Sequence, residues 1–142
     1  MKTVHSILAQ KPKVIFSVSK ETSVYDALQL MMEKNISALL ITNDSELLGI
    51  FTERDYARKI VLQGRTSRET AIGDVMTKNP VTIAPSESVD KCMKLMTENH
   101  FRHLPVRENG MTIGMVSIGD ILKLIIEDQK ETIDHLQSYI QS

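Results

Sequence analysis

The sequence predicts an α+β fold, an α/β-type sandwich made of two tandem copies of a strand–helix–strand–strand–helix unit. Three observations predict it. The chain repeats itself at a fixed offset, apolar spacing switches between helical and strand periods within each copy, and turn-forming residues stand where hairpins need them.

The repeat is found by sliding the sequence 65 positions, which lays Ser23–Asp55 on Ser88–Asp120 without a gap. Identical pairs are Ser23/Ser88, Val24/Val89, Leu30/Leu95, Met31/Met96, Glu33/Glu98, Leu39/Leu104, Gly49/Gly114 and Asp55/Asp120. Leu28/Met93, Ile36/Phe101, Ile41/Val106, Leu48/Ile113, Ile50/Met115 and Thr52/Ser117 are conservative. Apolar positions, a glycine and an aspartate all fall in one register.

Taken in order, Val14–Val18 is β-branched and apolar, a short first strand. Ser23 caps a helix whose apolar face is Val24, Ala27, Leu28 and Met31, at i, i+3, i+4 and i+7. Ser88 caps its counterpart, with Val89, Cys92, Met93 and Met96. Ser37–Thr42 is an aliphatic run too short for a helix and reads as a buried strand. Residues 43–46 supply a turn, and Leu47–Thr52 returns as the hairpin's second strand. Arg102–Val106, the Asn109-Gly110 turn and Met111–Ser117 repeat the arrangement. Helices follow from about Glu53 and Ile118. The division is repeat 1 over 11–63, a linker over 64–75 with a polar stretch at Gly64–Thr70, repeat 2 over 76–128 and a C-terminal helix over 129–142. A copy this small buries a marginal core alone, so the two must pack together. Val4, Ile7 and Leu8 suit a short N-terminal amphipathic helix. Ile133, Leu136 and Ile140 form a tail stripe that needs a partner surface, on this chain or another.

The 142 residues are 42% hydrophobic and 25% charged, with a formal net charge of −1. That balance gives no broad attraction to nucleic acid or anionic membrane. With one cysteine, no internal disulfide forms, and a reducing compartment, the cytoplasm, fits. No apolar run reaches the roughly 20 residues of a membrane span, and residues 1–13 lack a secretory core. The eight methionines read mostly as inward core filling.

Chemistry concentrates at Thr52-Glu53-Arg54-Asp55 and Ser117-Ile118-Gly119-Asp120. In each, a hydroxyl residue ends a strand and an aspartate follows three residues on. An aspartate there can accept hydrogen bonds from ribose hydroxyls, and a hydroxyl beside a helix start can meet a phosphate. The same spacing is that of a capping box, and spacing leaves both readings open. Arg102 and His103 open a strand as a phosphate grip or as a solvated sheet edge; their counterparts, Ser37 and Ala38, carry no charge. The basic stretch Arg58, Lys59, Arg65 and Arg68 is a solvated surface or an extension of a phosphate site. No catalytic set is readable. His5, His100, His103 and His135 lack metal-ligand spacing, Cys92 lies on an apolar helix face, and no glycine-rich phosphate loop occurs.

Each copy resembles the CBS (cystathionine beta-synthase) domain, and the two together resemble a CBS pair, or Bateman module. The residues that carry the resemblance are Val24-Tyr25-Asp26-Ala27-Leu28, Ile36-Ser37-Ala38-Leu39-Leu40-Ile41 and Leu48-Gly49-Ile50-Phe51-Thr52-Glu53-Arg54-Asp55 in the first copy. In the second they are Phe101-Arg102-His103-Leu104-Pro105-Val106 and Ile113-Gly114-Met115-Val116-Ser117-Ile118-Gly119-Asp120, with the lead-in Gly73-Asp74-Val75-Met76-Thr77. The match runs from about Lys11 to Ile126; Leu40 departs from the family's proline, which Pro105 keeps. The resemblance implies βαββα units about a pseudo-two-fold axis, with clefts that bind an adenine nucleotide: AMP, ADP, ATP, NAD(H) or the related S-adenosylmethionine. It implies ribose contacts from Asp55 and Asp120, with Thr52 and Ser117 near ribose or phosphate. It places the backbone at Ser37-Ala38 and Arg102-His103 at base or phosphate, Ile36 and Phe101 as apolar walls, and Phe16 and Val81, in the first strands, beside adenine; Arg54 adds a local positive charge next to Asp55. It further implies a homodimer with no required cofactor. The expected function is a non-enzymatic energy sensor that signals to an effector protein, against a ligand-free structural dimerisation module; nucleotide turnover and RNA binding rank below both.

Overall fold

The computed structural model describes residues 2–12 and 14–141, without the side chain of Gln141; Met1, Lys13 and Ser142 lie outside the described residues. The polypeptide is an α+β assembly of two pseudo-symmetric units. In the first unit, β1 (Ser17–Val18) runs parallel to β2 (Ala38–Asn43), which pairs antiparallel with β3 (Glu46–Thr52), and β3 pairs with β4 (Thr77–Lys78). In the second, β5 (His103–Glu108) and β6 (Met111–Ser117) form the hairpin. Both hairpins slip register at the same repeat position, Ile41/Thr42 and Val106/Arg107.

Local chemistry explains the matching elements. Helices α2 (Val24–Lys34) and α4 (Val89–Asn99) start where Ser23 and Ser88 accept hydrogen bonds from the amides of Asp26 and Lys91. They end at Asn35 and His100, both left-handed. Asn109 and Gly110 both take positive φ, as a tight hairpin turn requires. The repeated glycines answer close approach. A Cβ on Gly49 would stand 2.7 Å from the carbonyl oxygen of Thr77, and one on Gly114 would stand 2.8 Å from Leu8.

Several expectations need correction. The first strand is Ser17–Val18, not Val14–Val18, because Val14 and Ile15 point to solvent without a neighbouring strand. Val81 lies outside any ladder; Pro80, lacking an amide proton, precedes it, and contact with β5 comes only at the Ile83–Val106 bridge. The helix after β3 is a single turn, α3 (Glu53–Asp55), that widens into a π-helical segment, Tyr56–Val61. Its counterpart is the regular helix α5 (Ile118–Gln141), which runs unbroken into what reads from sequence as a separate tail helix. Met32 and Met111 are exposed rather than core.

The cores cross the sequence boundaries. Helix α1 (Val4–Ala9) buries Val4 and Ile7 in the second unit with Cys92, Met96, Leu104, Val116 and Ile121. The connector segment instead buries Ile72 and Val75 in the first unit with Val24, Leu39, Phe51 and Ile60. Backbone bonds fix both: Val4 N to Glu87 O at 2.9 Å, and Ile72 N to Thr22 O at 2.8 Å. A third cluster, Ala38, Leu40 and Ile50, joins the units, and Met115, the offset partner of Ile50, packs against it. That self-facing contact marks the pseudo-two-fold axis. Among the described residues no helix is long and apolar enough to cross a membrane.

Candidate functional site

β3 delivers Thr52 to the junction of the two units, and α3 begins there. The Asp55 amide donates to Thr52 Oγ1 at 3.2 Å, and Thr52 N donates to Asp55 Oδ2 at 2.9 Å. The capping box is therefore formed, and it uses one carboxylate oxygen. The other, Oδ1, lies 3.5 Å from Lys59 Nζ. The capping and the ligand-binding readings are thus compatible at one residue.

Asp55 stands in a cleft of about 390 Å³, within the size range of small-molecule sites. Ser37, Ile50, Thr52, Glu53, Arg54 and Arg58 line it from the first unit; Thr77, Asn79, Pro80 and Val81 from the chain entering the second; Asn99, His100, Phe101, Arg102 and His103 from the second. Three arginines therefore share the cleft with one half-buried aspartate. Arg54 Nη1 donates to the His100 carbonyl at 3.0 Å, tying α3 to the end of α4. Ser37 Oγ and His103 Nε2 share a hydrogen bond of 3.1 Å across the units. Burial pushes the His103 imidazole below its ordinary pKa; Lys11 and Arg102 add to the depression, and Asp120 opposes it. Near neutral pH, His103 is therefore an uncharged hydrogen-bonding group. The π-helical segment turns Arg58 to this cleft and holds Lys59 against the Val75 carbonyl at 2.9 Å.

Of the residues singled out from sequence, Ser37, Thr52, Arg54, Asp55, Val81, Phe101, Arg102 and His103 come together here. Phe16, Ile36, Ala38, Ser117 and Asp120 do not line it. Phe16 and Ile36 pack beside the first core, with Lys34 Nζ 5.6 Å from the Phe16 ring centre. The Ala38 side chain is buried at the axis. Ser117 and Asp120 form the matching cap, with Ser117 N donating to Asp120 Oδ2 at 2.9 Å. There the carboxylate also accepts from Lys11 Nζ at 2.8 Å, and Lys11 donates to the Met115 carbonyl as well. The offset counterparts of Arg54, Arg58, Arg102 and His103 are Gly119, Lys123, Ser37 and Ala38, so this second location lacks the arginines of the first, and its Lys11 is already paired with Asp120. Sequence reasoning missed Ile50, Thr77, Asn79, Pro80, Asn99 and His100. Ile50 was within reach, because it lies two residues from Thr52 on the same strand face.

Cys92 is buried, and desolvation pushes its thiol up to about 11, which suits a core residue and not a nucleophile. Among the described residues no three His, Cys, Asp or Glu side chains cluster as a metal site.

The profile of the CBS domain matches this chain twice, over residues 9–62 and 72–127. The chain belongs to the CBS-domain family. This CBS pair is 43% identical over 126 residues to the mitochondrial CBS domain-containing protein CBSX3 of Arabidopsis thaliana. That match takes in 85% of this chain and spans 61% of the relative. It is similar in structure to a CBS-domain protein of Burkholderia ambifaria MC40-6, with TM-score 0.87, 50% identity, and coverage of 90% of this chain and 96% of the other. Two ligand-bound CBS structures, each 25% identical, also match. CBSX2 in complex with AMP has TM-score 0.75 and coverage of 91% and 99%. The CBS pair of protein MJ0100, with 5′-methylthioadenosine and S-adenosylmethionine, has TM-score 0.77 and coverage of 87% and 99%.

Proposed function

We propose that this CBS pair is a regulatory adenosyl-ligand module that binds AMP, ADP or ATP in the arginine-lined cleft and signals to a partner protein. One observation carries the reading: the cleft joins the Thr52–Asp55 pair of one unit to Arg102 and His103 of the other. Asp55 Oδ1 offers an acceptor for ribose hydroxyls. Phe101, Val81 and Ile50 offer apolar walls to a base, and Arg54, Arg58 and Arg102 offer charge to phosphate. That charge favours phosphorylated ligands, NAD(H) among them, over cationic S-adenosylmethionine. The ligands carried by CBSX2 and MJ0100 support the adenosyl class.

A ligand touching both units stabilises one packing of them, and a partner reads that packing. The pair acts in this reading as a homodimer in a reducing compartment, the cytoplasm, although the Arabidopsis relative is mitochondrial by name. It binds without turnover, and nucleic acid is not its ligand. The ligand-free alternative is favoured only by the second location, where Lys11 holds Asp120 and Lys34 covers Phe16.

Thermal-shift titration with AMP, ATP, NAD and S-adenosylmethionine tests the reading. A ligand that binds only the folded chain adds about 2.7 kcal/mol of stability at a hundredfold excess over its Kd. AMP or ATP is expected to raise the melting temperature, with the shift lost in Asp55→Asn and kept in Asp120→Asn. No shift with any adenosyl ligand at millimolar concentration sinks the proposal and leaves the ligand-free module.

A further inference from the structure

Helix α5 buries Ile121 and Leu124 in the second core, but from Gln129 to Ile140 every side chain is exposed. About 18 Å of helix therefore stands off the body. A free helix of this length is marginal in water, and its apolar stripe is left to solvent.

Its exposed face is not a random scatter of apolar residues. Ile126, Ile133 and Ile140 recur every seventh residue, and Leu122, four residues before Ile126, and Leu136, three after Ile133, occupy the other seam position of the same heptad. Their exposures are 49% for Leu122, 63% for Ile126, 55% for Ile133, 58% for Leu136 and 83% for Ile140. The stripe lies about 100° around the helix from the buried face, so the body does not block it. We propose that this seam pairs in parallel with the same seam of a second copy, as a short two-stranded coiled coil. The homodimer of the preceding reading thereby gains a defined surface; whether the cleft binds nucleotide is independent of it.

Two features select this occupant. Isoleucine at one seam position and leucine at the other is the preference of parallel two-stranded coils. Gln129 occupies the remaining leucine-type position. In a parallel pair it meets Gln129 of the other copy and the two amides bond to each other; in an antiparallel pair centred on this stretch it would face Ile133 without a partner. Two such stripes facing one another cover roughly 1,000 Å², the lower end of what a specific interface between two copies needs. A register in which like meets like also requires no partner of different sequence.

Sedimentation equilibrium of the full chain at tens of micromolar, without added nucleotide, is the test. The unaltered chain is expected to sediment as two copies. The double variant Ile133→Asp, Leu136→Asp is expected to weaken association by at least about a hundredfold, with a cooperative thermal unfolding transition of the body retained and an unchanged nucleotide-induced thermal shift. The variant Ile133→Cys is expected to oxidise to a cross-linked dimer, since the buried Cys92 does not compete. A monomeric wild-type chain overturns the proposal. So does a dimer that survives the double aspartate variant, or one in which the Ile133→Cys variant fails to cross-link.

Discussion

Asp55 and Asp120 are the same residue of the repeat in two electrostatic settings. Each closes a capping box, but Asp55 keeps Oδ1 near Lys59 at the edge of an open cleft, while Asp120 is gripped by Lys11 at 2.8 Å. The spacing that made both aspartates visible in the sequence could not separate them, because Lys11 lies 109 residues from Asp120. His103 is a comparable case: a charged grip by sequence, a neutral group by burial. Its imidazole titrates lower in the folded chain than in the unfolded one. As the pH falls below about 6.5, the unfolded chain takes up the proton first. The stability tied to this group is therefore full above that pH and declines through the window down to the lowered folded value. Melting temperatures from about pH 8 down to about pH 5 are expected to fall less steeply in His103→Gln than in the wild-type chain. Identical slopes would show that His103 does not titrate as its burial requires.

Elements followed their local signals where packing agreed with them. The serine caps, both hairpins and the Asn109-Gly110 turn formed where the sequence placed them, within a residue or two at the strand ends. Val14 and Ile15 have strand propensity but no strand beside them, and a strand is completed by its neighbour's hydrogen bonds, not by propensity. The two repeated glycines look equivalent in sequence yet face different neighbours. A methyl at position 49 meets the Thr77 backbone oxygen at 2.7 Å, which moves only with β4, whereas at position 114 it meets the end of the Leu8 side chain. Gly49→Ala is therefore expected to destabilise by about 1–3 kcal/mol, and Gly114→Ala by clearly less. Urea melts of the two variants check this; equal losses would mean that the Thr77 segment yields as easily as a side chain.

Across the whole molecule, each unit borrows a segment from outside its own repeat. Helix α1 completes the second core, and Ile72 and Val75 complete the first, so the connector and the N-terminus play the same part for opposite units. Ile7→Ala removes buried volume from the second core, at an expected cost of about 2–5 kcal/mol. Hydrogen exchange is then expected to quicken first in α4, β5 and β6, although position 7 precedes the first repeat. Quickening confined to α2, β2 and β3 would contradict the assignment of α1 to the second unit. The CBSX2 and MJ0100 structures share this overall fold.

The sequence by itself determined the doubling, the capped helix and hairpin of each copy with their turns, and the family. All of these are written in residues close to one another or at one fixed offset. Tertiary structure decided which repeated residues share a cleft and that Lys11 holds Asp120. It also decided that α1 belongs to the second unit and that the helix beginning at Ile118 leaves the body. The physical reason is common to all four. Each depends on which distant surfaces meet, through burial and charge at separations that no local period or spacing records.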